Sequence, residues 1–157
     1  MDITTTLTNP GVIWAMAGAG AAIVLAGLGS LLGTYYAAAK GAGVLAEKPG
    51  LLGKVMPLVA LPGSSVIYGF LIALFINGKL ADLSTVDAGM QLFVAGAVMG
   101  FAGLFTGWLQ GRSAAAGVAA VGREESVSVG VLILAALLET AAIFALLLSI
   151  FLLNFVK

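Results

Sequence analysis

The sequence contains no cysteine and no histidine, and only 9% of its 157 residues are charged. Without cysteine there are no disulfides or thiolate nucleophiles, and without either residue the usual zinc sites and histidine-based acid–base chemistry are excluded. Soluble domains carry about 25% charged residues, so this composition excludes an ordinary water-soluble domain. Seven basic residues balance seven acidic ones, which leaves no net field to recruit an anionic partner, and we expect no nucleic-acid partner.

What the chain has instead is long apolar runs. Residues 11–39, 55–78 and 88–111 carry no charge, and residues 126–156 carry a single one, Glu139. A transmembrane helix needs about 20 predominantly apolar residues. The sequence therefore predicts an all-α membrane protein with four transmembrane helices, at about residues 11–45, 52–78, 87–121 and 127–156, in which short connections make two helical hairpins.

The two hairpins are related by an internal duplication. A shift of 76 residues superimposes span on span and loop on loop without a gap. We place the repeats at residues 1–80 and 81–157. Their chemistry differs, because Glu139 falls on Gly63 and Gln110 falls on Thr34.

Basic residues predict the orientation in the membrane. Five flank the first and third loops and two lie at the other end; in chain order they are Lys40, Lys48, Lys54, Arg112 and Arg123, against Lys79 and Lys157. By the positive-inside rule, residues 46–50 and 122–127 lie in the cytoplasm and both termini outside.

The first and third spans carry stripes of small residues at helical spacing, which permit close approach of helix backbones. The stripes are Gly18, Ala22, Ala26, Gly29, Gly33 and Ala37, and Gly96, Gly100, Gly103, Gly107 and Gly111. They fit either a lone four-helix bundle or the tightly curved inner surface of an oligomer, and their matched lengths favour the oligomer.

The few polar side chains inside the apolar spans lie at one depth. Glu139 and Gln110 are about 15 and 14 residues from the centre of the third loop, so at a rise of 1.5 Å per residue they meet on adjacent helices. Around the first loop, Thr34, Ser64 and Ser65 lie at the same distance. An ionised side chain at the membrane centre costs about 2.5–3.5 kcal/mol and is usually functional.

Two further residues belong to this layer. Pro62 breaks the second span and frees carbonyls near Leu58 to Leu61, which need a hydroxyl, a water molecule or a cation as partner. Tyr68, one turn beyond Ser64, can donate its hydroxyl to the Glu139 carboxylate.

A buried carboxylate is neutralised either by a proton or by a monovalent cation. The residues themselves thus predict one exchangeable cation for each chain. No cofactor is expected, and because no glycine loop with its lysine binds nucleotide here, a partner or an ion gradient must supply the energy.

Taken together, these residues resemble the membrane rotor (proteolipid, K or c) subunit of bacterial and archaeal V-type ATPases. The resemblance covers the duplicated hairpins and three motifs, Leu61-Pro62-Gly63-Ser64 leading to Tyr68-Gly69-Phe70, Gln110-Gly111, and Glu139-Thr140. It implies a non-catalytic subunit that assembles with identical copies into a ring in the membrane lipid of a prokaryotic cell.

The resemblance also implies partners and roles. A carboxylate of the fourth span carries H⁺ or Na⁺ past an arginine of a stator subunit, and the cytoplasmic loops contact a central stalk. Glu139 then binds the ion and Tyr68 hydrogen-bonds the carboxylate. The oxygen ligands, which could hold Na⁺ together with Glu139, are Gln110, Ser64 and the carbonyl of Leu61. Thr34 and Thr140 are weaker candidates.

Ser65 departs from the family pattern, because sodium-binding members have glutamine there. A serine hydroxyl is shorter, which slightly favours H⁺, although a water molecule bridging from Ser65 would restore a sodium site.

Two other functions compete. A small four-helix proton-coupled exporter could use the same glutamate, but it needs a substrate cavity lined by aromatic residues, and small or aliphatic residues surround Glu139. A purely structural scaffold leaves the polar layer unexplained.

Overall fold

The computed structural model describes residues 9–156 and contains four helical segments long and apolar enough to cross a membrane, as the sequence predicts. They are Pro10–Glu47, Pro49–Lys79, Val86–Arg123 and Glu125–Asn154. Each bound lies within a few residues of the predicted one. The first and third segments begin where side chains cap them: Asn9 Oδ1 accepts from the Gly11 amide at 2.9 Å, and Thr85 Oγ1 from the Ala88 amide at 3.2 Å.

The first and third spans are single helices, α1 (Pro10–Glu47) and α4 (Val86–Arg123). The second and fourth spans are broken in the middle. The second contains α2 (Leu52–Ala60) and α3 (Ser64–Lys79), joined by one 3₁₀ turn, Leu61–Gly63. The fourth contains α5 (Ser128–Ala136) and α6 (Glu139–Asn154). The sequence predicts the first break through Pro62 but not the second, which contains no proline.

The duplication is visible in the element bounds. Helices α1 and α4 begin and end 76 residues apart, and so do α2 and α5. Even the hydrogen bond at each break is repeated: the Ser64 hydroxyl donates to the Leu61 carbonyl at 3.0 Å, and the Thr140 hydroxyl donates to the Leu137 carbonyl. The two repeats therefore share one local fold.

The small-residue stripes bring α1 and α4 into backbone contact. Four glycine pairs lie face to face, each separated by 78 positions: Gly11 and Gly89, Gly18 and Gly96, Gly29 and Gly107, Gly33 and Gly111. A Cβ added to any glycine of α4 in these pairs would meet the backbone of α1. No larger residue fits there without separating the helices.

The apolar core is divided into two clusters along the spans. On α4, one cluster ends at Met99 and the other begins at Ala114. On the second span, the corresponding limits are Ile72 and Leu58. The polar layer lies between these two clusters.

Contacts between the two predicted cytoplasmic loops join the repeats. Lys54 Nζ lies 2.9 Å from Glu125 Oε2, and Lys48 Nζ donates to the Gly122 carbonyl at 2.9 Å. Hydrogen bonds from the side chain and the amide of Ser126 lower the pKa of Glu124. Because these groups are exposed, the ion pair contributes little stability, about 0–1 kcal/mol, and mainly orders the loops.

Candidate functional site

Glu139 is the first residue of α6 and directly follows the break in the fourth span. The break faces α4, where the Gln110 side chain is only 1% exposed. Glu139 is half-buried, so its carboxylate lies between α4 and the outer surface of the fourth span.

Gln110 holds the carboxylate. Its Nε2 donates to Glu139 Oε2 at 2.7 Å and also reaches the Ala135 carbonyl at 3.4 Å. Because α5 ends at Ala136, that carbonyl belongs to the last turn before the break. Both protons of the amide nitrogen are thereby directed at the residues that flank the break.

The remaining oxygens of this pair have no partner. Glu139 Oε1 and Gln110 Oε1 are both buried without a hydrogen bond among residues 9–156. Buried polar atoms are nearly always satisfied, and an unsatisfied acceptor costs about 1–3 kcal/mol. Each of these two acceptor oxygens therefore lacks the donor or cation that would satisfy it.

Tyr68 approaches the pair from α3. Its half-buried phenol lies close to the Glu139 carboxylate. The sequence predicts this position from the one-turn spacing after Ser64. Tyr68 thus brings a neutral hydroxyl group close to the carboxylate.

Ser64 and Ser65 lie side by side at the start of α3 but make different contacts. Ser64 donates to the Leu61 carbonyl, which lies in the 3₁₀ turn that breaks the second span. The fully buried Ser65 hydroxyl lies 3.4 Å from Thr106 Oγ1 on α4. The structure therefore turns Ser65 toward α4 and Ser64 toward the break.

Thr34 and Thr140 do not take part in the hydrogen bonds of Gln110 and Glu139. Thr34 is half-buried on α1, at the counterpart of Gln110. Thr140 is exposed, and its hydroxyl satisfies the Leu137 carbonyl. Thr140 thus does in the second repeat what Ser64 does in the first.

Two groups near the site are not predicted from the sequence. Thr106 donates to the Ala102 carbonyl at 2.7 Å and contacts Ser65, and the Ala135 carbonyl accepts from Gln110. Thr106 lies one helical turn before Gln110, which is a signal the sequence does contain. No sequence signal predicts the role of the Ala135 carbonyl, because this carbonyl is available to Gln110 only through the break in the fourth span.

Chemically, the arrangement is one carboxylate held by an amide, with a phenol close by and two free acceptor oxygens, in an otherwise apolar layer. It can hold and release a single proton or a small monovalent cation. Among the described residues no group of three or more His, Cys, Asp or Glu could hold a metal ion.

Comparison with known proteins identifies the family. The sequence profile of the ATP synthase C subunit matches residues 17–76 and, a second time, residues 93–152. The chain belongs to the ATP synthase C-subunit family. The two matches begin and end 76 residues apart, which confirms the duplicated-hairpin form of the family and the shift found in the sequence.

Three relatives in the family are similar along most of this chain. The A-type ATP synthase subunit K of Methanocaldococcus jannaschii is 41% identical over 136 residues, which cover 87% of this chain and 60% of the relative. The V-type sodium ATPase subunit K of Enterococcus hirae is 31% identical, covering 90% of each chain. The 16 kDa proteolipid of the V-type proton ATPase of Nephrops norvegicus is 32% identical, covering 86% of each.

Family membership and the four apolar spans together make the chain an integral membrane protein. Membership of this family favours a rotor subunit over an exporter. The chain spans only 60% of the archaeal relative, and the names of the three relatives include both a sodium and a proton ATPase.

Proposed function

We propose that this chain is a membrane rotor-ring subunit of a V- or A-type rotary ATPase, and that Glu139 carries one cation across the membrane in each chain. The observation that carries the proposal is the 2.7 Å bond between Gln110 and Glu139 together with the two buried, unpartnered oxygens beside it. A proton or a cation carried by Glu139 would supply the partner that its free oxygen lacks. A structural hydrogen bond alone leaves them unsatisfied.

The ion we propose is H⁺, and Ser65 is the reason. Sodium needs several oxygen ligands, whereas a proton on a carboxyl group needs one acceptor. The Ser65 hydroxyl lies against Thr106, and the Ser64 hydroxyl donates to Leu61. Gln110 Oε1 remains as a free acceptor for the proton of Glu139.

The partners follow from the same proposal. The chain forms a ring with identical copies in a prokaryotic cell membrane, with both termini outside. A stator subunit presents an arginine to Glu139 at the outer surface of the ring. Residues 46–50 and 122–127 form the cytoplasmic contact with the central stalk, and the bonds of Lys48 and Lys54 across the two loops make them one surface.

Carbodiimide labelling of isolated membranes tests the carrier and the ion together. The reagent modifies a protonated carboxyl group in an apolar setting, and mass spectrometry locates the modified residue. We expect labelling of Glu139 that falls as the pH rises and that sodium leaves unchanged. The exposed Glu124 and Glu125 in the same chain serve as internal controls.

Each other outcome is decisive. Labelling that sodium slows would make the site a sodium site; it would overturn the choice of H⁺ and leave Glu139 as the ion carrier. No labelling of Glu139 at any pH would overturn the assignment of Glu139 as the ion carrier. The variant Glu139→Gln in the assembled ATPase should lose ion translocation while ATP hydrolysis by the detached catalytic part is retained.

A further inference from the structure

The second and fourth spans leave a groove between them at each end. Opposite the predicted cytoplasmic loops, α3 and α6 form a groove of about 420 Å³, lined within residues 74–79 and 150–154, which we call the distal groove. Beside the loops, α2 and α5 form a groove of about 200 Å³, lined within residues 53–57 and 128–132, which we call the loop groove. The described lining of both grooves contains no residue of α1 or α4.

The distal groove has apolar walls and a polar mouth. Leu74, Phe75 and Ile150 are among its apolar lining residues. Lys79 and Asn154, which also line it, are the last residues of α3 and α6. Apolar side chains therefore lie inside the span and hydrogen-bond donors lie where the span ends. This is the order of groups in a phospholipid, whose acyl chains lie in the membrane and whose phosphate lies at its surface.

The lysines of the two grooves differ in their partners. In the loop groove, Lys54 Nζ lies 2.9 Å from Glu125 Oε2. In the distal groove, Lys79 is half-buried, and none of the side chains that the structure describes forms an ion pair with it. A lysine that already has a carboxylate beside it attracts a second anion less. Only the distal groove thus combines apolar walls with an available positive charge.

Gly78 keeps the distal groove open beside Lys79. A Cβ at Gly78 meets nothing within 4 Å, and no glycine of the described residues has a positive φ. Glycine destabilises a helix relative to alanine, and neither packing nor backbone conformation requires it here. The counterparts of Gly78 and Lys79 in the second repeat are Asn154 and Phe155. The duplication therefore does not account for this pair, and each chain contains it once.

We propose that the distal groove binds one anionic phospholipid per chain. An acyl chain lies along Leu74, Phe75 and Ile150, and the headgroup phosphate accepts hydrogen bonds from Lys79 and Asn154. Because lipid tails surround the spans in any case, the groove gains little by taking one more acyl chain. Its selectivity therefore comes from the charge of the headgroup. Such a site requires only that the chain lies in a membrane, so it goes beyond the ion carried by Glu139.

Native mass spectrometry of the purified assembly tests the charge. Native lipid is removed in a neutral detergent, and phosphatidylglycerol and phosphatidylcholine with identical acyl chains are added in equal amounts. One lysine at a membrane surface should favour the anionic lipid about fivefold, which corresponds to about 1 kcal/mol. Lys79→Gln should therefore remove one preferentially bound phosphatidylglycerol per chain. Lys54→Gln is the matched control and should remove none.

A second variant tests the shape of the distal groove without changing its charge. Gly78→Leu fills the groove beside Lys79 and should lower the binding of both lipids there. Gly130→Leu is the control, because Gly130 on α5 also has nothing within 4 Å and lines neither groove. Equal lipid binding by the two variants would mean that no lipid occupies the distal groove.

The remaining outcomes distinguish a lipid from other anions. Lys79→Arg keeps the charge and should bind lipid as the parent chain does, which shows that a loss in Lys79→Gln is not a failure to fold. Soluble glycerol phosphate has the phosphate but no acyl chain and should not displace the bound lipid. Displacement by glycerol phosphate, or equal losses in Lys79→Gln and Lys54→Gln, would overturn the lipid site. Both results would leave the labelling of Glu139, and with it the proposed function, unaffected.

Discussion

At the residue scale, the site depends on one amide. Gln110 donates to Glu139 and to the Ala135 carbonyl, so a single side chain holds the carboxylate to the break of its own span. Counting residues from the third loop predicts that Gln110 and Glu139 meet, because depth along a straight helix follows from its rise. Counting does not predict that Ser65 faces Thr106, because rotation about a helix axis depends on packing.

The variant Gln110→Met removes this donor at nearly constant volume. It should destabilise the folded chain in detergent by about 1–3 kcal/mol, because a buried acceptor loses its partner. In Gln110→Met/Glu139→Met both partners are gone, and most of the loss should be recovered. Denaturant titration of the two variants measures the difference, with the exposed Leu109→Met as control. A double variant as unstable as the sum of the single ones would contradict the pairing.

Gly111 tests the close contact of α1 with α4. A Cβ at this position would meet the Gly33 backbone, so Gly111→Ala should destabilise the chain by about 1–3 kcal/mol through overpacking. Gly43→Ala, where nothing lies within 4 Å, should be neutral or stabilising by up to about 1 kcal/mol. Thermal unfolding in detergent compares them, and equal effects would mean that the two helices do not touch here.

At the scale of elements, the two broken spans show where local sequence is a poor guide. Pro62 predicts the first break. Leu137 and Leu138, by contrast, are good helix formers and predict a continuous fourth span. The second break is nevertheless at the equivalent position, with the Thr140 hydroxyl bonded to the Leu137 carbonyl. The duplication was the available signal, because position 138 is the counterpart of Pro62.

The variant Pro62→Leu tests whether the proline is needed for the first break. In the second repeat, the Leu138 amide donates to the Ala135 carbonyl three residues back, at 3.3 Å. We expect the amide that the variant gains at position 62 to bond to the Val59 carbonyl in the same way, so that the turn persists. Hydrogen exchange should then give the amides at positions 62 and 138 similar protection. Strong protection at position 62, as in a continuous helix, would show that the proline alone makes the break.

At the scale of the whole molecule, composition predicts most of the fold. The number of spans, their order and the duplication all follow from apolar runs and a shift of 76 residues. The site lies between two apolar clusters because charges and amides are scarce and occur at one depth. Composition does not predict which face of each helix contacts the partner helix, which contacts lipid and which contacts another copy. These contacts depend on an assembly larger than one chain.

The orientation across the membrane is the remaining whole-molecule prediction. Five basic residues flank the first and third loops, so these ends should be retained in the cytoplasm. In intact cells, an impermeant maleimide should therefore label Ser84→Cys, in the exposed connection between the repeats, and label Ser126→Cys only after the membrane is opened. Both variants start from a chain without cysteine, so each signal has one source. The reverse pattern would place the loop surface of Lys54 and Glu125 outside, away from any cytoplasmic stalk, and would overturn the proposed stalk contact.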